Sequence, residues 1–187
     1  MNGPLFLWPI VLTAIMLGAR IWELCRRFGA DPGTVIAPKS FRHMVTVGTG
    51  SVLLCAAEYI LRGSPPRLPW VSAAGALLGA FTFVIRGLSR RALRRMWSVH
   101  VEIRENHTLV QSGPYARIRH PIYLGTILEV AAAALLFNAW ISGTIGLVAT
   151  ALVLRHRILI EERAMEEKFG DEWRKYCLRA GLLWPRP

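Results

Sequence analysis

The 187-residue sequence has only three cysteines, and they do not cluster. Cys25, Cys55 and Cys177 are widely spaced, odd in number and form no CxxC, so neither a disulfide framework nor a zinc or other metal site is expected. Acidic residues are also few: 12 Asp and Glu stand against 23 Lys and Arg, a formal net charge of +11. No soluble stretch could carry a basic face with aromatic platforms, which excludes nucleic acid as the partner of that charge. Internal repeats and low-complexity segments are missing. The first hydrophobic run lacks a basic n-region and continues through Trp22 without a small-residue cleavage site, so it is expected to be a helix rather than a cleaved signal.

What the chain has is hydrophobic length. More than half of it, 53%, is apolar, concentrated in runs at residues 4–24, 43–61, 69–88, 122–137 and 141–154 that are almost uncharged. A helix needs about 20 apolar residues to cross a bilayer, and the first three runs reach that. The last two are shorter but are parted only by Asn138, Ala139 and Trp140, which predicts a helical hairpin embedded in the membrane. The fold class expected is all-α: a polytopic integral membrane protein with five transmembrane helices, the last two a hairpin, plus a cytoplasmic C-terminal helix. Residues 1–96 would hold the three N-terminal spans and residues 97–187 the functional core.

The basic residues follow the loops. Arg26, Arg27, Lys39 and Arg42 sit after the first run, eight arginines lie in residues 86–119, and eight basic residues lie in the tail from Arg155 onward. The positive-inside rule then places those three segments on the cytoplasmic side and the N-terminus outside. These cytoplasmic loops are also the long ones, so chemistry is expected on that face, in what reads as a bacterial or archaeal cell membrane, or the endoplasmic reticulum if the chain is eukaryotic. Glu58 lies near an outer end and is expected at the interface.

Two segments can carry chemistry. In the first, Ser112, Gly113 and Pro114 mark a turn, and Pro121 suits the first position of a helix, where its missing N–H is not needed. Arg119 and His120 therefore lie at a helix mouth, a place that favours an anion. Tyr115 and Tyr123 can offer ring faces to a cation or a heterocycle. Gly125 permits close approach of a helix or ligand. The second segment continues the last run as a helix. Arg157 and Glu161 are four apart and share a face, which Met165 and Phe169 extend. Gly170 reads as a stop, Asp171 as the cap of a short further helix, and Trp173 and Tyr176 as side chains able to fold back on the core.

Together these segments resemble the isoprenylcysteine carboxyl methyltransferase family and, more loosely, the phospholipid methyltransferases. The residues that carry the resemblance are His107, Leu109, Val110, Gly113 and Tyr115, then Arg119, His120, Pro121, Tyr123 and Gly125, then Arg157, Glu161, Glu162, Phe169, Gly170, Trp173 and Tyr176. They span roughly residues 97–184; the three earlier runs match only in being hydrophobic. The resemblance implies a methyl transferase that holds S-adenosyl-L-methionine in a cytoplasmic-side pocket and receives a lipophilic acceptor from the bilayer. It assigns His107, Thr108, Leu109, Val110, Tyr115, His120, Pro121, Ile122, Tyr123 and Glu161 to the cofactor, with His100 outside the sharp motif, and Arg157 to the acceptor. Ile122 stands where relatives often have a small polar residue, so its contact would be through backbone. Arg157 and Glu161 are the expected catalytic pair.

Glu129 falls inside the fourth run, where a charge is costly and often functional, and a substrate contact is one expectation for it. The acceptor is left open: a prenylcysteine-type carboxylate, another lipid or isoprenoid acid, or a quinone-like phenol. Two other readings stand beside the transferase. Sterol-type membrane reductases share a similar Arg-His-Pro segment and a terminal Trp-x-x-Tyr-Cys, here Trp173, Tyr176 and Cys177, and use NADPH. A lipid-binding protein without catalysis is the third. Membrane lipids are the other partners expected, and the sequence sets no oligomeric state.

Overall fold

The computed structural model describes residues 4–25, 34–63, 68–98, 102–103 and 108–186. Its elements are helices: α1 (Pro4–Cys25), α2 (Pro38–Arg62), α3 (Pro69–Leu93), α4 (Pro121–Phe137), α5 (Trp140–Phe169) and α6 (Asp171–Arg179). Short 3-10 turns cover Arg94–Met96 and Gly113–Ala116. A two-residue antiparallel ladder, β1 (Thr34–Val35) with β2 (Glu102–Ile103), joins the loops beyond α1 and α3. The all-helical class therefore holds. Helices α1, α2, α3 and α5 each contain a stretch long and apolar enough to cross a membrane, and α4 is a shorter apolar helix of 17 residues.

Four helices, α1 to α4, open on proline. The ring fixes φ near the helical value and lacks only an N–H that the first turn leaves unused. α2 closes on Gly63 at φ 64, a left-handed turn that glycine adopts without strain. α4 ends one residue before Asn138, which takes the same left-handed form at φ 49. Asn138 is well used there. Its amide nitrogen donates to Ser72 Oγ and to the Leu135 carbonyl, both at 2.9 Å, and its amide oxygen accepts from the Leu68 N–H at 2.8 Å. Arg62 donates to the carbonyls of Phe137 and Asn138, and Glu58 accepts the Ser142 N–H at 2.8 Å. Glu58 thus serves the first turn of α5, where the helix dipole favours a carboxylate. Trp140, expected in the turn, is instead the first residue of α5.

Packing of α3, α4 and α5 relies on small residues. Gly75 lies so close to α4 that a Cβ there would stand 2.8 Å from the Ala132 carbonyl oxygen and closer still to the Leu136 nitrogen. Gly143 meets Ala134, and Gly146 meets Val130 and Ser51, so α5 runs back along α4. Close backbone approach through small side chains is how apolar helices associate when lipid offers no hydrophobic contrast. Val52, Cys55, Tyr59, Ala133, Ala134 and Phe137 form one buried cluster between α2 and α4. Tyr59 also donates to the Phe6 carbonyl at 2.8 Å, tying α1 to α2. Large apolar side chains such as Val11, Ile15, Leu54, Leu77, Val84, Ile145 and Leu152 face outward, as a lipid-facing surface requires.

Past Phe169 the chain turns sharply at Gly170, φ 51, and α6 starts directly at Asp171. Asp171 is thus the first helical residue and not the cap; it accepts from Arg174 at 3.3 Å. Substituting Gly75 by Ala would force α3 and α4 apart, and overpacking of this kind costs roughly 1–3 kcal/mol. The expected result is a lower thermal midpoint in detergent; an unchanged midpoint contradicts the close crossing.

Candidate active site

The helix mouth predicted at Pro121 is where the structure gathers its polar side chains. α4 begins at Pro121 with His120 at the cap position, and a 3-10 turn over Gly113–Ala116 delivers Tyr115 to the same level. α5 passes alongside and presents Arg157, Glu161 and Met165 from successive turns. α6 folds back so that Trp173 and Tyr176 pack with Ala180 against Leu109, Met165 and Phe169. The segment after α6 runs along the approach to α4: the N–H of Arg119 donates to the Gly181 carbonyl at 2.8 Å and that of His120 to Leu182 at 3.1 Å. Tyr176 donates to the Tyr115 carbonyl at 2.7 Å. Burial pushes the Tyr176 phenol up to about 12, so it keeps that proton at ordinary pH. The Tyr115 phenol is likewise raised well above its usual value, first by burial and then by the Glu161 charge.

Two adjacent glutamates divide the work. Glu162 faces Arg119 and His120. Arg119 grips it with Nε at 2.8 Å and Nη2 at 3.1 Å, a two-pronged pair, while its Nη1 donates to the Ala180 carbonyl at 2.6 Å. His120 Nε2 lies 2.9 Å from the same carboxylate. Glu161 lies 3.9 Å from the other nitrogen of His120, Nδ1, and faces Tyr123. It accepts the hydroxyl proton of Tyr123, whose oxygen in turn accepts from Arg157 Nε at 2.7 Å. Arg157 Nη1 donates to Ser40 Oγ at 2.8 Å. The Tyr123 ring stacks on His120 with centroids 5.3 Å apart, and the Arg157 guanidinium carbon lies 5.6 Å from the Tyr123 centroid.

Arg119, His120, Tyr123, Arg157 and Glu161 line one cavity of about 1230 Å³, counting its open mouth, while Glu162 and Ser40 stand behind them. Of the cofactor residues expected from sequence, Thr108, Leu109, Val110, Tyr115, His120, Ile122, Tyr123 and Glu161 line it, as does Arg157. Pro121 is buried beside it as the first residue of α4. His100 and His107 lie outside the described residues. The Arg119 guanidinium already pairs with Glu162 and donates to the Ala180 carbonyl, so it holds the loop and the α6 segment together at the edge of the cavity.

The opposite wall was not anticipated. Arg20 and Glu23 from α1, Phe41 and Met44 from α2, and Arg86 and Arg90 from α3 line the same cavity. Arg86, read from sequence as the start of a basic loop, belongs to α3 and is fully buried. Its Nη1 donates to Glu129 at 2.6 Å, and its Nε lies 3.4 Å from Glu23. Arg20 donates to Glu23 at 3.2 Å and lies 3.8 Å from Glu129. Arg90 lies 3.8 Å from Glu23. Gly125 is required here: a Cβ would stand 2.9 Å from Arg86 Cγ. Glu129 itself lines two smaller cavities behind this wall, not the main one. The available signal was the presence of single charges inside apolar runs, which must find partners; their pairing across helices is not written in either run. The cavity is thus lined by the N-terminal helices and the C-terminal segments alike.

Residues 76–167 match the isoprenylcysteine carboxyl methyltransferase (ICMT) family. The chain is 31% identical to the protein-S-isoprenylcysteine O-methyltransferase of Rattus norvegicus over 60% of this chain and 40% of that enzyme. It is 26% identical to the uncharacterized protein YpbQ of Bacillus subtilis (strain 168) over 68% of this chain and 74% of that protein. It is 35% identical to methanethiol S-methyltransferase 1 of Bradyrhizobium diazoefficiens over 38% of this chain and 24% of that enzyme. The match spans both chemical segments up to Glu162 and reaches back into α3, past Arg86. A family of methyltransferases and a chain with several membrane-length apolar helices together support a membrane methyltransferase.

Two substitutions test the geometry itself. Glu162→Ala removes hydrogen bonds to a charged partner worth roughly 1.5–3 kcal/mol and lowers the thermal midpoint in detergent; a wild-type midpoint contradicts the clamp. Glu129→Ala leaves Arg86 without its shortest counter-ion and costs about 3–5 kcal/mol, read in the same assay. A variant as stable as the parent would show that the pair is not formed.

Proposed function

We propose that this chain, whose residues 76–167 are of the isoprenylcysteine carboxyl methyltransferase family, transfers the methyl group of S-adenosylmethionine to a lipophilic, membrane-dissolved acceptor. The observation that carries the reading is the convergence of both chemical segments on one cavity, with Tyr123 linking Glu161 to Arg157 inside it. The cavity's lining fits such a donor. Tyr115 and Trp173 offer aromatic rings for a heterocycle, Trp97 carries the Arg90 guanidinium 4.5 Å from its ring centroid, and Glu161, about one-third exposed, offers a carboxylate to a cationic centre.

Bound S-adenosylmethionine supplies a methyl group already activated on a sulfonium. The chain's part is then to orient and to exclude water. Arg157 is fixed on two edges by Tyr123 and Ser40, so its planar fork keeps one orientation for an anionic acceptor group. An ionised carboxylate acceptor needs no base. For a phenol or amine, His120 is a base candidate. Its Nε2 lies 2.9 Å from Glu162 and its Nδ1 3.9 Å from Glu161, the other base candidate. Trp173, Tyr176 and Met165 form the apolar cover.

In this reading α1, α2, α3 and the α4–α5 hairpin make five spans, the N-terminus lies outside, and the cavity mouth and α6 lie on the cytoplasmic side. Residues 97–187 form the transferase core, and residues 1–96 complete the cavity wall. Glu129, which backs that wall, serves the acceptor through Arg86.

Arg157→Ala and Glu161→Ala should each lower turnover by roughly 10²-fold or more in folded protein, the loss typical of removing one electrostatic group from a site. Full activity in either removes the catalytic assignment. Calorimetry in detergent should register S-adenosylhomocysteine and not NADPH. The reverse outcome would favour the reductase, and binding of neither the lipid-binding protein.

A further inference from the structure

The acceptor-side arginine is held by a residue from a helix that the family match does not reach. Ser40 lies in the first turn of α2, well before residue 76. It is buried. Its hydroxyl has a single proton, and that proton is donated to the Ala37 carbonyl at 2.7 Å. Toward Arg157 Nη1, 2.8 Å away, Ser40 Oγ can therefore act only as an acceptor. Tyr123 is in the same position on the neighbouring edge: its proton goes to Glu161, so its oxygen accepts from Arg157 Nε. Two hydroxyls with fixed proton directions thus hold the Nε and Nη1 edges of the guanidinium. The backbone behind Ser40 is equally fixed, since Pro38 opens the helix and the Ser40 N–H returns to the Ala37 carbonyl at 3.1 Å.

Ser40 does not itself line the cavity, whereas the next residue, Phe41, and Met44 one turn on do. Met44 is buried with Tyr123, Leu154 and Ile158, and Phe41 and Ile122 pack on that cluster. The first turn of α2 accordingly holds the arginine with one side chain and offers an apolar wall beside it with the next.

We infer that Ser40 is a positioning residue for methyl transfer: through Arg157 it sets the orientation of the acceptor's polar group, and with Phe41 and Met44 it makes the start of α2 the acceptor-selecting wall. The inference rests on the reading of Arg157 given above. It predicts a selective effect, because Thr108 to Val110, Tyr115 and His120 lie on other elements, and Tyr123 keeps its own bond to Glu161 when the Ser40 hydroxyl is lost.

The test compares the full-length protein with Ser40→Ala and Ser40→Thr in detergent, by three readouts. Calorimetry with S-adenosylhomocysteine should give the same affinity in all three. Nitrogen-15 spectra of the arginine side chains should show restricted Arg157 Nη hydrogens in the parent, rotational averaging in Ser40→Ala, and restriction restored in Ser40→Thr, which keeps the hydroxyl. With radiolabelled methyl donor and a bacterial lipid extract as acceptor source, Ser40→Ala should need about tenfold more extract for half-maximal rate, the size of one lost hydrogen bond to a charged group. Unchanged Arg157 spectra in Ser40→Ala overturn the inference, as does a loss of donor affinity equal to the loss toward acceptor. A parent that binds no S-adenosylhomocysteine sinks the transferase reading, while the Arg157 spectra still decide whether Ser40 holds the arginine.

Discussion

The structure depends on two consecutive glutamates of α5 that approach the two nitrogens of His120 at the mouth of α4. Glu162 holds Arg119 and His120; Glu161 holds Tyr123 and, through it, Arg157. Neighbouring residues on a helix diverge by about 100°, so a doublet reaches partners that no i,i+4 spacing could serve together. Without Glu162 the Arg119 loop would lose its charged partner in a site where few waters could replace it. Without Glu161 the Tyr123 proton would have no acceptor, and Arg157 would lose the oxygen that fixes its Nε. The same doublet thus supports the loop's position and the cavity's chemistry.

Around this doublet the chain meets the membrane problem twice in different ways. In α3, α4 and α5 it uses glycine and alanine to bring backbones together, and the outward faces are left apolar. Between α1, α3 and α4 it does the reverse, burying Arg20, Glu23, Arg86, Arg90 and Glu129 against one another. A buried ion cluster is a weak source of net stability, because desolvation offsets much of the Coulomb gain. Its value is directional: each charge has few acceptable positions, so α1 is fixed against the bundle at the end where it lines the cavity.

Much of this was legible in the residues, for physical reasons that differ from element to element. The helix start at Pro121, the inward face of Arg157, Glu161 and Met165, and the return of Trp173 and Tyr176 all follow from local rules of proline, periodicity and glycine. The end of α3 was misjudged because Arg86 and Arg90 look like a basic loop, whereas burial against Glu23 and Glu129 lets the helix run on to Leu93. The Glu162 partner of Arg119 was not legible because it is 43 positions away. Ser40 could not be found at all, since a lone serine between Lys39 and Arg42 in a basic loop carries no signal of the arginine 117 positions later that it receives.

The most direct measurement is photochemical. Irradiating the purified protein with labelled S-adenosylmethionine and sequencing the labelled peptides reports where the donor sits. The account predicts label in residues 108–123 and 157–176. Label confined to the outward faces of α1 to α3, or no label that unlabelled S-adenosylhomocysteine displaces, would contradict it.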